Sequence, residues 1–343
     1  MIAPSLQDIA ASLVADDKGL LAMDESTSTC NRRFARLGIP ETEAARRSYR
    51  ELLVTTPGLG ESISGAILYD ETIHQTTEDG KPFVEVLGDA GIVTGIKVDI
   101  GSKDLAGHPR EKVTEGLDGL RARLQNYFQM GARFAKWRAV IALGDGIPSR
   151  GCIAANAQAL ARYAALSQEA GLVPVVEPEV LMTGDHSLET CRRATREVLR
   201  CVFEQLDLQN VLLEGMILKP NMVLPGLAGA EQVAATDAAD ATVESLLRVI
   251  PAAVPGIAFL SGGQSAELAS ARLNAMHLRF KAAGSEPPWA LSFSFGRALQ
   301  RPALELWRGD ARNRSAAQKA LAHRARCNSA ARRGEYSAAM ETP

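Results

Sequence analysis

Short apolar runs, each closed by polar or charged residues, alternate along the chain with longer stretches whose apolar positions recur every three or four residues. Side chains alternate faces with a period of two along a strand and about 3.6 along a helix, so the short runs predict strands and the longer ones amphipathic helices. The first run follows Gly19 and ends at Asp24, before a polar loop through Thr29 and Asn31. Further runs occupy 64–69, closed by Asp70, 92–98, closed by Asp99, and 134–142. The run 172–176 ends in Glu177-Pro178-Glu179, and 211–221 carries Lys219 just before Pro220. The last two are 256–260, closed by Ser261-Gly262-Gly263, and 289–293, closed by Ser294-Phe295-Gly296-Arg297.

Helical periodicity covers 5–16 (Ser5 a candidate N-cap), 40–55 (Pro40 in the first turn), 117–130, 153–170, 188–206, 236–249, 265–282, 298–307 and 311–330. Residues 100–110 read as polar loop, and about 331–343 as a loose tail. Eight short strands alternating with helices, in units of roughly 30–45 residues from the third strand onward, predict a (β/α)8 TIM barrel in one domain, 1–343. An open doubly wound sheet fits the count less well. Such barrels build their sites at the C-terminal ends of the strands, where the polar residues of this chain gather.

The period of two puts Lys97 with Asp99 on one face, Lys136 with Arg138 on one face and Trp137 on the other, and Glu177 with Glu179 together across Pro178. The predicted barrel mouth therefore holds Asp24, Lys97, Asp99, Lys136, Arg138, Glu177, Glu179 and Lys219. An ordinary lysine, with a pKa near 10.4, is neutral in only about one molecule in 2,500 at pH 7. Burial and neighbouring cations lower that pKa and make the amine a nucleophile. Taken alone, Lys219 could equally snorkel to solvent, Asp24 could cap the segment after its strand, and Lys136 and Arg138 could pair with the glutamates structurally. The Ser261-Gly262-Gly263 and Gly296-Arg297 loops each open a helix after the seventh and eighth strands, where glycine lets backbone N–H groups approach a phosphate. Arg33 and Lys97 could serve a second anion on the opposite rim, or Arg33 could be a surface ion-pair partner.

The chain has 343 residues, 46% hydrophobic and 23% charged, and a formal net charge of −2. That charge gives no basic field for nucleic acid, and no apolar run is long enough to span a membrane. The N-terminus has acids where a signal peptide has a basic region, so a cytoplasmic protein is expected. Five cysteines (Cys30, Cys152, Cys191, Cys201, Cys327) lack CxxC spacing, and five scattered histidines form no HExxH, so no metal site is expected. With nine lysines against 29 arginines, the lysines kept at strand ends, Lys97, Lys136 and Lys219, stand out, because lysine can lose its proton and arginine cannot.

The motifs LAMDEST, GIKVD, FAKWR, PVVEPE, LKPNMV, FLSGGQS and SFSFGRALQ, in this order from about residue 5 to about residue 337, resemble those of class I fructose-bisphosphate aldolases. The resemblance implies a TIM barrel that cleaves fructose 1,6-bisphosphate reversibly into dihydroxyacetone phosphate and glyceraldehyde 3-phosphate, through a lysine Schiff base and without metal or cofactor. It implies that Lys219 is the Schiff-base lysine, Glu177 the main acid/base supported by Glu179, Lys136 an assisting lysine, and Asp24 the carboxylate at the C4 hydroxyl. Arg138 resembles a substrate-binding arginine; Ser261, Gly262, Gly296 and Arg297 resemble the cradle of one phosphate; Lys97 a ligand of the other, with Ser26, Thr29 and Arg33 near it. Relatives of this kind are commonly tetramers, so a homo-oligomer is expected.

The chain departs from the pattern in two places. The animal-type members end in a tyrosine implicated in proton exchange at the enamine carbon, whereas the last tyrosine here is Tyr336. Phe295 stands where many members have tyrosine. Alternatives are a lysine aldolase for fructose 1-phosphate or sedoheptulose 1,7-bisphosphate, and a non-catalytic interaction protein on the same barrel, which retention of Lys219 and Glu177 argues against.

Overall fold

A computed structural model describes residues 4–341. Its strands are β1 (Gly19–Ala22), β2 (Ile63–Leu68), β3 (Val93–Lys97), a hairpin of β4 (Ser102–Asp104) and β5 (Lys112–Thr114), β6 (Phe134–Ile141), β7 (Val173–Val180), β8 (Ile217–Leu218), β9 (Gly256–Phe259) and β10 (Ala290–Phe295). All but the hairpin pair in parallel and close in the order β1-β2-β3-β6-β7-β8-β9-β10, with β10 returning to β1. This is the predicted (β/α)8 barrel.

The apolar patterning explains the layers. Leu20, Ala22, Ile67, Phe134, Val173, Val175, Ile217 and Ala258 fill the inside of the barrel, and Ile9, Ala10, Leu13 and Val14 pack beneath them from helix α1 (Leu6–Leu13) and its end. Gly95 is glycine for a packing reason: a Cβ there would lie 2.2 Å from the Phe134 ring. The outer core lies between the strands and the helices α3 (Glu43–Val54), α6 (Leu120–Gln129), α7 (Arg150–Glu169), α8 (Leu188–Leu208), α9 (Ala235–Leu247), α10 (Ala266–Ala282), α11 (Arg297–Trp307) and α12 (Arg314–Arg332). No helix among the described residues is long and apolar enough to cross a membrane.

Five local expectations are corrected. The loop after Asp24 contains a helix, α2 (Thr27–Ala35), started by Ser26, whose hydroxyl accepts from the Thr29 N–H. Only Cys30 and Phe34 of that helix are buried, so it has almost no apolar stripe to read. Residues 100–110 hold half of the β4/β5 hairpin, whose β4 residues are all exposed. The strand predicted at 172–176 continues through Glu177-Pro178-Glu179 to Val180. The Val173 and Leu181 N–H groups donate to β6 or its flanks, so even-numbered residues of β7 point their N–H groups toward β8. Pairing with β8 stops at Val176–Leu218, so Pro178 removes no donor that the sheet needs. The strand expected at 211–221 shrinks to Ile217–Leu218, because the Gln168 side chain hydrogen-bonds Leu212 N–H, Leu212 C=O and Gly215 C=O and holds a tight turn there.

The fifth correction concerns the tail. Through residue 341 it is fastened: Asn274 Oδ1 accepts from the Tyr336 N–H, and Glu341 is held by Arg324 and by the Tyr336 hydroxyl. Residues 342 and 343 lie outside the described range.

Candidate functional site

The C-terminal rim of the barrel opens into a cavity of about 1210 Å³. Lys219 follows β8 directly; its N–H donates to Val176 C=O, so the last strand bond fixes its backbone, and Pro220 ends the strand. The side chain enters the cavity yet is almost wholly buried. Its Nζ lies 3.3 Å from Glu177 Oε1. Lys136 sits across the same carboxylate, with Nζ 3.2 Å from Glu177 Oε2 and 2.6 Å from Asp24 Oδ2.

The two lysines are divided electrostatically. Burial holds the Lys219 ammonium below its ordinary pKa, and the Lys136 charge lowers it further against the pull of Glu177 and Asp24. Burial acts on Lys136 in the same sense, but Asp24, Glu177 and Asp99 outweigh it and raise its pKa. For Asp24, burial is outweighed by Lys136 and Lys219, and its carboxyl stays well below the usual range. The site therefore pairs an amine whose proton is loosened with one whose proton is held more tightly. Glu177 Oε2 is buried and has no directed hydrogen-bond donor, since the Lys136 approach meets ion-pair distance without hydrogen-bond alignment.

Around this centre the strand period places the other predicted residues. Arg138, half-exposed, forms an ion pair with buried Glu179, while Trp137 turns outward and stacks on Tyr163. Lys97 Nζ is 2.6 Å from Asp99 Oδ1 and donates to Asp99 C=O. Ser26, Thr29 and Arg33 line the cavity at the start of α2, with Thr29 Oγ1 accepting from Arg32. Ser261, Gly262, Gly296 and Arg297 line the same cavity, and Arg297 is close enough to Arg33 for the two charges to act on each other. Gly262 has φ +59°, and a Cβ there would lie 2.8 Å from Met182 Sδ. Gly296 caps α11 without a side chain, leaving backbone donors at that helix end for an anion. All fourteen predicted site residues thus line one cavity.

Sequence reasoning missed the residues that hold these in place. Glu25, next to Asp24, accepts from Arg33 at 2.6 Å, Arg50 at 2.7 Å and Gln300 at 2.9 Å, and so fixes Arg33. Its adjacency to Asp24 was the available signal; its partners come from distant elements. Ser294 lines the cavity, and its buried hydroxyl lacks a partner. Phe295 is fully buried against Phe293, so the apolar ring itself fills its place. Tyr336 is not part of the cavity wall; its hydroxyl is committed to Glu341.

A family model described as fructose-bisphosphate aldolase class-I matches residues 5–343. A probable fructose-bisphosphate aldolase class 1 from Xanthomonas campestris pv. campestris is 55% identical over 332 residues, covering 96% of this chain and 98% of the relative. A cytosolic fructose-bisphosphate aldolase from Arabidopsis thaliana is 50% identical over 95% of this chain and 90% of its own length. Among solved structures, the fructose-bisphosphate aldolase from Plasmodium falciparum, crystallised with TRAP and a small-molecule inhibitor, superimposes with a TM-score of 0.94 at 46% identity, covering 97% of this chain and 95% of that one.

Proposed function

This chain belongs to the class I fructose-bisphosphate aldolase family, and from that premise we propose that it cleaves fructose 1,6-bisphosphate reversibly through a Schiff base on Lys219. The observation that carries the reading is the buried Lys219 amine, held below its ordinary pKa beside Lys136 and Glu177. In the neutral form Lys219 Nζ attacks the C2 carbonyl, giving a carbinolamine. Glu177, carrying the proton that the Lys219 ammonium gave up, protonates the carbinolamine hydroxyl, which leaves as water, and a protonated imine remains. Asp24, fixed as a carboxylate by Lys136, takes the proton of the C4 hydroxyl. The C3–C4 bond then breaks, glyceraldehyde 3-phosphate departs, and the bonding electrons pass into the imine as an enamine. A proton returned to C3 and hydrolysis of the imine release dihydroxyacetone phosphate and regenerate the amine.

The positions of the basic residues support two phosphate subsites, one at Ser261, Gly262, Gly296 and Arg297 and one at Ser26, Thr29, Arg33 and Lys97. Two such subsites would position the substrate so that the reacting carbons lie over the Lys219 amine. Arg138, anchored by Glu179, would bind substrate between them. A homo-oligomer in the cytoplasm is part of the same proposal; exposed leucines such as Leu208 and Leu227 would suit subunit contacts, and light scattering of the purified chain measures the assembly.

Borohydride added with dihydroxyacetone phosphate is expected to trap a covalent adduct that peptide mapping places on Lys219, with aldol cleavage surviving a chelator. An adduct elsewhere, no adduct, or loss of cleavage in chelator overturns the reading.

A further inference from the structure

The strongest unassigned cluster of ligating side chains lies on the outer helical layer. His323 and Cys327 stand one turn apart on α12, and the tail brings Glu341 back over them. The ligand atoms of all three lie within 4.8 Å of one another. We propose that His323, Cys327 and Glu341 form a zinc-binding site that fastens the C-terminal segment to α12.

The geometry suits the ion. His323 Nε2 and Cys327 Sγ are 3.6 Å apart. Two ligands at about 2.0 Å (nitrogen) and about 2.3 Å (sulfur) on a tetrahedral zinc are separated by about 3.5 Å. Residues four apart on a helix share one face, so the pair needs no rearrangement. Glu341 has to close in by only about 1 Å to complete three ligands, and water takes the fourth position.

The carboxylate is already held near the other two ligands. Arg324 Nη1 and the Tyr336 hydroxyl, at 2.6 Å, hold Glu341 in place. An ionised carboxylate has about four acceptor sites; Arg324 takes one on each oxygen and Tyr336 a second on Oε1, so one site on Oε2 remains for a metal. Such partners orient metal-ligating carboxylates. One thiolate and one carboxylate offset the charge that zinc adds beside Arg324. The nitrogen, sulfur and oxygen donors favour zinc over magnesium or calcium, which take oxygen ligands. On binding, the Cys327 thiol gives its proton to solvent and the sulfur lone pair bonds the metal; no redox change is involved.

None of the three residues lines the cavity around Lys219, so the site is independent of the aldol chemistry and needs a readout other than activity. The full chain, stripped with chelator, is titrated with Co²⁺ as a spectroscopic substitute for Zn²⁺. One equivalent is expected to give a thiolate-to-cobalt charge-transfer band and intense tetrahedral absorption, both abolished by Zn²⁺. Cys327→Ala removes the charge-transfer band, and Glu341→Gln weakens Co²⁺ binding at least tenfold. One equivalent of Zn²⁺ raises the Tm of the unaltered chain and leaves His323→Asn, a change at a partly exposed position, unmoved. Absence of the band, its survival in Cys327→Ala, or a zinc-dependent Tm in His323→Asn overturns the proposal; a plain thiol–imidazole hydrogen bond would give none of the expected signals.

Discussion

At the scale of single residues, the division of labour between Lys136 and Lys219 makes a sharp prediction. The Lys136 charge is one of the two influences that lower the Lys219 pKa, the other being burial. Lys136→Met removes that charge and leaves Glu177 and Asp24 free to act on Lys219, and both of them raise its pKa. The fraction of neutral amine at a given pH therefore falls. The rate of borohydride-trapped adduct formation should reach half its maximum at a higher pH than in the unaltered chain, and kcat should drop by about 10²–10⁴. An unchanged or acid-shifted midpoint would show that Lys136 does not set the Lys219 pKa. The candidate site lysines were legible because the chain prefers arginine elsewhere and keeps Lys97, Lys136 and Lys219 at strand ends. Glu25 was not legible: its importance lies in contacts with Arg33, Arg50 and Gln300, which only folding brings to it.

At the scale of elements, the loop after β9 carries the next test. Gly262 adopts a left-handed backbone, and a methyl group there meets Met182 Sδ. Gly262→Ala therefore has to displace the loop, at a backbone cost of about 1–2 kcal/mol. If this loop holds a substrate phosphate, the loss falls on binding that is equal in ground and transition states. KM for fructose 1,6-bisphosphate is then expected to rise about tenfold with kcat nearly unchanged. A change confined to kcat would remove this loop from phosphate binding. Glycines flanked by serine and arginine announced this element in the sequence. Other elements were hidden for definite reasons. Helix α2 buries only Cys30 and Phe34, so periodicity could not reveal it. Pro178 argues against a strand unless its missing donor is known to face the unpaired side of β7. The length of β8 is set by Gln168 on another helix, a contact that no local pattern encodes.

At the scale of the molecule, the barrel was readable because eight apolar runs each had to bury both faces, inside against their neighbours and outside against helices. How helices, strands and tail lock together was not, because it depends on buried polar groups that meet only after folding. His277 is one such group. From α10 its Nε2 reaches the Leu291 carbonyl at 3.1 Å, the same carbonyl that receives Arg332 Nε at 3.0 Å from α12. Burial, reinforced by the nearby Arg332 charge, pushes the His277 pKa down to about 4. In the unfolded chain the same imidazole titrates near 6.5. Between those values the unfolded state binds the extra proton, so folding stability rises with pH across this window. The contribution is complete above pH 6.5 and is lost as pH falls toward 4, by an amount on the order of 3 kcal/mol. Urea unfolding at pH 7 and pH 5 should show a clear fall in midpoint for the unaltered chain. His277→Gln keeps an amide donor for Leu291 but cannot titrate, so its midpoint should fall less between the same two pH values. Equal falls in both proteins would mean that acid sensitivity arises elsewhere and that His277 is not held neutral by the junction of α10, β10 and α12.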